Sequence, residues 1–426
     1  MIDPADSTHL EGRVRGHDAA LMELALAEAE RGRGSTSPNP LVGAVVVDES
    51  GAAPVVLSRG YHVRPGLAHG EAVALDALGG SAPGKTLYVT LEPCNHVGRT
   101  GKCTELVLHA GLSRVVIGMR DPNPRVIGGG VERLRAAGLE VTVGVLEDRC
   151  RHQNRGYLRF LQSGRPQLIL KAALSLDGRL APRPLDGPEA AVGPQWLTGA
   201  PARLHTHRLR DRCDAILVGA GTVLADDPQL TVRLPAGEPR ADRLRPPLRV
   251  VIDGALRTPE TARLCGPGTL LLTSRAALAD QPERAQALRA RGVELVGLPP
   301  PSCRDVAPRG GLLPTSIDLY AALHCLGERE LLMVMCEGGA TLHGALLDAG
   351  LYDEAALYLA PLFLGDEGVP LLRHFAVPAV SAAPWLTSVQ VERLGQDLLV
   401  SGLMRRGAFA PADYHPKEDG DVHRAG

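Results

Sequence analysis

Aromatic residues make up only 3% of this 426-residue chain. That leaves few stacking platforms for single-stranded nucleic acid. Charge of one sign is missing too: 46 Lys and Arg against 48 Asp and Glu give a formal net charge of −2, so no bulk-positive surface for a nucleic-acid backbone is expected. No run of eighteen or more apolar residues occurs, which argues against a membrane-spanning helix. Met1 to Gly16 lacks the charged-then-apolar order of a signal peptide. The eight cysteines are scattered rather than paired in a short disulfide framework, and a reducing cytoplasm suits them best. At this length two or three domains are expected.

Against these absences stands one dense cluster of chemistry. His69-Gly70-Glu71 is followed by Pro93-Cys94 and then Cys103. One imidazole and two thiolates can hold Zn²⁺ and leave its fourth position open for water. The metal brings that water's pKa from 15.7 towards about 7. A carboxylate two residues after the histidine can carry the proton, the arrangement H-x-E…P-C-x-x-C uses to remove an exocyclic amino group from a nucleobase-like ring. A closed structural site would want a fourth protein ligand and has no use for Glu71. Here eight residues, not two, lie between the cysteines.

Periodicity places the cluster. His17 to Arg31 has apolar residues on one helical face, Leu41 to Asp48 is strand-like, and Val55 to Leu57 is a shorter strand. His69 opens a helix; Leu87–Leu91, Arg114–Met119 and Glu140–Val145 read as strands, and Cys103–Ala110 and Val131–Ala137 as helices. Alternation of this kind implies a layered α/β domain. The ligands then fall at helix starts, whose positive ends favour thiolate. A basic amphipathic stretch leads to Gly164-Arg165-Pro166, and a second cycle of strands follows: Leu168–Ala173, Ala215–Val218, Leu248–Ile252, Thr269–Thr273 and Leu331–Cys336. Residues 182–194, 234–248 and 298–311 read as surface loops, and Phe409 to Gly426 as a disordered tail. Gly219-Ala220-Gly221-Thr222 and Glu337-Gly338-Gly339-Ala340-Thr341 follow strands where backbone can approach phosphate. Neither is a G-x-G-x-x-G fingerprint. From pattern alone, a cofactor site and ordinary glycine turns are equally good readings.

The block Glu92-Pro93-Cys94-Asn95-His96-Val97-Gly98-Arg99-Thr100-Gly101-Lys102-Cys103 resembles the riboflavin-pathway deaminases. Pro38–Gly43, Gly60-Tyr61-His62, Tyr88–Leu91 and Asp121–Pro124 add to the likeness in order. Lys171–Arg179, Gln195–Thr198, Thr222–Arg233 and Cys336–Gly339 resemble the reductase of the same pathway. The resemblance covers about residues 17 to 405. It implies an N-terminal cytidine-deaminase-like three-layer domain (17–160), then a dihydrofolate-reductase-like α/β domain (161–408), with 409–426 as tail.

What the resemblance implies about sites is more detailed. His69, Cys94 and Cys103 would hold one zinc ion per chain, with Glu71 as proton carrier, and Asn39, His62, Arg99, Asp121 and Asn123 would position a pyrimidine ribosyl phosphate. In the second half Ala173, Trp196, Thr222, Asp226, Gly254 and the turn and helix start Gly339, Ala340, Thr341, Leu342, His343, Gly344 and Ala345 would contact NADPH. Arg210, Leu230, Arg233 and Glu337 would hold substrate, and Lys171 and Asp226 would assist proton traffic. A homo-oligomer is expected, with no nucleic-acid or membrane partner.

The chain departs from the family pattern at Gly70, Asn95, Gly101-Lys102 and Pro194, and in a long segment 183–193. None of these removes a ligand, though Pro194 bears on the reductase. A nucleic-acid deaminase is the rival reading; those enzymes share H-x-E and P-C but keep C-x-x-C.

Overall fold

The computed structural model describes residues 10–95, 101–123, 129–182, 196–236, 246–300 and 317–405. Arg99, Pro194, the segment 183–193, the tail 409–426 and most of the expected surface loops lie outside the described residues.

The first half runs α1 (Asp18–Glu30), β1 (Gly43–Asp48), β2 (Val55–Tyr61), α2 (Gly70–Asp76), β3 (Thr86–Leu91), α3 (Cys103–His109), β4 (Arg114–Met119), α4 (Gly130–Ala136), β5 (Glu140–Val143) and α5 (Glu147–Gln153). Its sheet has the order β2-β1-β3-β4-β5, antiparallel around β1 and parallel from β3 onward. The inner strands are buried on both faces, which is why they read as mainly apolar runs without a polar alternation.

Two glycines seat a helix on each face. A Cβ at Gly43 would stand 2.0 Å from the Ala25 carbonyl oxygen of α1, and one at Gly60 would stand 2.4 Å from the Gly70 carbonyl oxygen of α2. Gly60 pairs with Ala44, the neighbour of Gly43, so the two glycines look to opposite faces. With α1 and α5 on one side and α2, α3 and α4 on the other, the domain has three layers. The missing Cβ at Gly60 lets α2, the helix of Glu71, lie close against the sheet.

The helix α6 (Arg155–Ser163) leads into β6 (Gln167–Ser175), β7 (Arg179–Ala181), α7 (Ala200–Asp211), β8 (Ala215–Gly219), α8 (Ala220–Asp226), β9 (Leu248–Ile252), β10 (Thr269–Ser274), α9 (Arg275–Asp280), α10 (Pro282–Ala290), β11 (Glu294–Leu298), α11 (Leu319–Gly327), β12 (Met333–Cys336), α12 (Ala340–Ala349), β13 (Glu354–Ala360), β14 (Val369–Pro370), β15 (Trp385–Leu394) and β16 (Asp397–Arg405). Nine strands form one sheet, β11-β10-β9-β8-β12-β6-β13-β16-β15, parallel as far as β13 and antiparallel beyond it. Period-two alternation divides the core. Leu168, Leu170, Ala172 and Leu174 face α11 and α12, whereas Ile169, Ile216 and Val251 face the side of α7 to α10. Lys171 and Ala173 therefore lie on the α7–α8 face. Among the described residues, no helix is long and apolar enough to cross a membrane.

Candidate active sites

His69 is the N-cap of α2 and Cys103 the first residue of α3, while Cys94 follows the end of β3. Their ligand atoms all lie within 4.8 Å of one another. His69 Nδ1 is 3.2 Å from Cys103 Sγ and 3.6 Å from Cys94 Sγ. A tetrahedral zinc with ordinary bond lengths separates N and S by about 3.5 Å, so the set fits the ion. The electrostatics fit as well. Its bond with Cys103, with His69 alongside, holds the Cys94 thiol far below its ordinary range, and that charge together with burial pushes Cys103 far up. One thiolate suppresses the second, and a cation between them removes the conflict.

Glu71 is 2% exposed, and its Oε2 is buried without a hydrogen-bond partner. Burial pushes its pKa up to about 7, against the opposing pull of His69. An orphaned carboxylate oxygen beside the ligand set is costly in a folded core, and is what a proton carrier needs.

The expected substrate residues are brought together in part. Asn39 Nδ2 donates to His62 Nε2 at 3.0 Å, while His62 Nδ1 donates to the Ala68 carbonyl at 3.1 Å. This pairing fixes the neutral Nδ1–H tautomer, and burial lowers the pKa in the same sense. The His62 ring stands edge-on to His69, centroids 5.3 Å apart. Asp121 and Asn123 sit on the turn after β4, where the Asn123 N–H donates to Asp121 Oδ1 at 3.0 Å.

Sequence reasoning missed the carboxylate that anchors this turn. Glu92, 7% exposed, accepts the backbone N–H of Asp121 at 3.2 Å and of Val131 at 3.0 Å. Its place directly before Pro93-Cys94 was the available signal.

In the second half Arg210 on α7 donates through Nε at 2.5 Å and Nη2 at 2.9 Å to Glu337, and through Nη1 to the Thr231 carbonyl at 2.9 Å. Lys171 Nζ lies 3.6 Å from Glu337 Oε2. The carboxylate that Lys171 meets is Glu337, and Asp226 is exposed at the end of α8. Burial pushes Glu337 up, but Arg210 and then Lys171 outweigh it and bring the pKa down to about 2. The Arg233 N–H donates to His207 Nδ1 at 3.2 Å. Leu230, 3% exposed, holds φ at +52°, a left-handed backbone that costs a non-glycine residue about 1–3 kcal/mol and persists where surroundings impose it.

Thr222 and the Gly338–Gly339 turn meet closely: a Cβ at Gly339 would stand 3.1 Å from Thr222 Oγ1. Beyond that turn Leu342 and Ala345 belong to the core, His343 is fully buried with Nδ1 2.6 Å from the Tyr352 hydroxyl, and Gly344 lies against the Arg373 backbone. Trp196 is 63% exposed, with the Arg203 guanidinium 5.3 Å above its ring. Ala173 is half-buried on β6, and Gly254, just after β9, accepts the Ser274 N–H at 3.3 Å.

Comparison with known proteins gives the class first. The cytidine and deoxycytidylate deaminase zinc-binding region matches residues 15–119, and the RibD C-terminal domain matches residues 166–400. The fold and its two sites thus define a bifunctional enzyme: a zinc-dependent deaminase followed by a reductase that uses a nicotinamide cofactor. The chain is 35% identical over 404 residues to riboflavin biosynthesis protein RibD of Bacillus amyloliquefaciens, covering 95% of this chain and 98% of that one. It is 36% identical over 392 residues to RibD of Escherichia coli, covering 89% and 98%. The chain belongs to the RibD family of riboflavin biosynthesis proteins. Among solved structures, Acinetobacter baumannii RibD superposes with a TM-score of 0.74 at 33% identity, covering 92% of this chain and 99% of that one. The deaminase/reductase of Thermotoga maritima gives 0.73 at 32%, covering 91% and 98%.

Proposed function

We propose that the first half deaminates 2,5-diamino-6-ribosylamino-4(3H)-pyrimidinone 5′-phosphate, and that the second reduces the ribosyl group of the resulting 5-amino-6-(5-phosphoribosylamino)uracil to ribityl with NADPH. The observation that carries the reading is Glu71: an orphaned, buried carboxylate oxygen beside one imidazole and two thiols. The T. maritima relative is named for the same two substrates.

His69, Cys94 and Cys103 hold the zinc ion. Bound there, zinc supplies a Lewis acid that makes hydroxide available near neutral pH. Glu71 takes a proton from the attacking water and returns one to the departing amino nitrogen, so ammonia leaves and the ring gains a carbonyl oxygen. Burial raises the Glu71 pKa above the ordinary carboxylate range, which suits a group that must both take and return a proton. Asn39 and the neutral His62 hold one side of the pyrimidine, Asp121 and Asn123 the other, and the family resemblance assigns Arg99 to the phosphate.

In the second half NADPH supplies hydride to C1′ of the opened ribosyl group. The chain's task there is placement. Thr222 and the N–H groups of residues 339–342 form the phosphate cradle at the start of α12; Gly254, Ala173 and Trp196 line the remaining cofactor path. His343, Gly344 and Ala345 brace this helix from behind, since the His343 N–H is already taken by the Gly339 carbonyl at 2.9 Å. Arg210 is preorganised by Glu337, and with Arg233 and the Leu230 backbone it receives the ribose phosphate. Lys171 and Asp226 attend to protons, and the subunits pair as a homodimer or tetramer through their reductase halves.

The test couples absorbance at 340 nm to ammonia release, with zinc-loaded protein, the diaminopyrimidine substrate and NADPH. Ammonia with stoichiometric NADPH loss supports both halves. Ammonia alone confines the activity to the first half, and no ammonia from zinc-loaded protein overturns the deaminase reading.

A further inference from the structure

The segment of α5 and α6, residues 147–163, lies outside both matched regions, which end at residue 119 and begin at residue 166. Nevertheless it touches both loops that the proposed function assigns to the pyrimidine. Asn154, the 3%-exposed N-cap of α6, accepts the Leu41 N–H at 2.8 Å and donates to the Leu41 carbonyl at 2.9 Å. Leu41 is two residues from Asn39. Tyr157, 6% exposed, accepts from Asn123 Nδ2 at 3.1 Å, and its hydroxyl lies 3.4 Å from Asp121 Oδ1.

Spacing of three puts Asn154 and Tyr157 on one face of the helical segment. Gly156, between them, faces the reductase: a Cβ there would stand 2.9 Å from the Leu332 carbonyl oxygen and 2.8 Å from Met333 Cγ. The same joint holds a half-open pocket lined by Asn39, Asn154 and Tyr157 on one side and Asp214 and Met333 on the other.

We propose that Asn154 and Tyr157 are positioning residues of the deaminase. They hold the Asn39 and Asp121–Asn123 loops at the spacing the pyrimidine requires, from a helix whose own place is fixed by the reductase sheet. Neither touches the ring; Tyr157 acts through Asn123 and Asp121, and Asn154 through the backbone beside Asn39. The inference rests on the substrate roles assigned to those loops.

Tyr157→Phe removes one hydroxyl and keeps the packing, and the full zinc-loaded chain is assayed by ammonia release. The deaminase KM is expected to rise about three- to tenfold, the range of one lost neutral hydrogen bond, with kcat within about twofold and zinc content unchanged. Reduction of separately supplied deaminated intermediate stays at the wild-type rate. Asn154→Asp, which keeps the acceptor and loses the donor, shifts KM the same way. A double-mutant cycle with Asn123→Ala separates a specific role from a general one: Tyr157→Phe should have a smaller effect once Asn123 is gone, what is left being its contact with Asp121.

An unchanged KM in Tyr157→Phe, independent multiplication of the two effects, or equal losses in both activities with a lowered Tm each overturns the proposal alone. An unchanged KM in Asn123→Ala sinks the assigned role of that loop, and the proposal with it.

Discussion

Glu337 takes both a guanidinium Nε and an Nη of Arg210, at 2.5 and 2.9 Å, with Lys171 Nζ 3.6 Å away on the same carboxylate. Two cations thus share one buried anion at the centre of the reductase sheet. An isolated buried charge here would be severely destabilising; a two-point pair with a third charge beside it is tolerable. The surplus positive charge suits an anionic substrate.

This pairing makes the second half acid-sensitive. The Glu337 pKa of about 2 lies below the ordinary 4.5, so its stabilising contribution is complete above pH 4.5 and drains away as pH falls from there toward 2. Unfolding midpoints at pH 6 and pH 3 should fall further apart in the wild type than in Glu337→Gln. Equal pH dependence in the two proteins would remove Glu337 from the account. At neutral pH Glu337→Ala should cost about 3–5 kcal/mol, since it strands the cations.

Glu71→Gln keeps the shape of the side chain and loses its proton traffic. Ammonia release should fall by about 10²- to 10⁴-fold, the span of general acid–base contributions. Zinc content by metal analysis should stay at the wild-type level, because Glu71 is not a ligand, and reduction of supplied deaminated intermediate should be unaffected. Loss of zinc in this variant would make the carboxylate structural instead.

Most of the first sheet was legible because its inner strands are buried on both faces and so read as mainly apolar runs. Arg114–Met119 is such a case: the strand has the expected bounds, every residue is buried, and the apolar run Val115–Met119 follows Arg114, which is paired with Asp18. The antiparallel edge of the second sheet was not. β15 carries Val389 at 52% and Val391 at 64% exposure beside Gln390 and Glu392, and this mixed pattern has neither a buried run nor a clean alternation. β11 failed for a related reason, with polar Glu294 and small Gly297 in five residues. His69, Glu71, Cys94 and Cys103 stood out because their chemistry is rare and locally spaced. Glu92, Asn154 and Tyr157 did not, because each acts on backbone or side chains brought near only by folding, Asn154 on Leu41 from 113 positions away.

Metal removal should divide the two activities. The thiols and His69 serve only the first site, and the Arg210–Glu337–Lys171 cluster holds together by its own charges. Chelation, or Cys103→Ser, should abolish ammonia release and leave NADPH oxidation with supplied deaminated intermediate intact; zinc returned to the chelated wild type should restore the first activity. Loss of both activities on chelation would mean that the ion holds the whole chain together.

Two glycines in helices near the proposed cofactor cradle should respond oppositely to alanine. Helix propensity alone favours alanine by about 1 kcal/mol at each. At Gly221, exposed in α8, a Cβ would meet nothing within 4 Å, so propensity decides and Gly221→Ala should raise stability by about 0.5–1 kcal/mol in the cofactor-free protein. At Gly344 in α12 the same Cβ would stand 1.9 Å from the Arg373 carbonyl oxygen and 3.0 Å from its carbon. Backbone on both sides cannot swing away as a side chain would, so either α12 or the segment at Arg373 must shift. Overpacking of this kind costs about 1–3 kcal/mol or more, which outweighs propensity. Gly344→Ala should therefore lower the Tm, and it should also raise the KM for NADPH, because the displaced helix carries residues 339–342. Denaturation curves of the two variants, measured side by side, check the first claim; a stabilised Gly344→Ala would show that α12 is not wedged against Arg373.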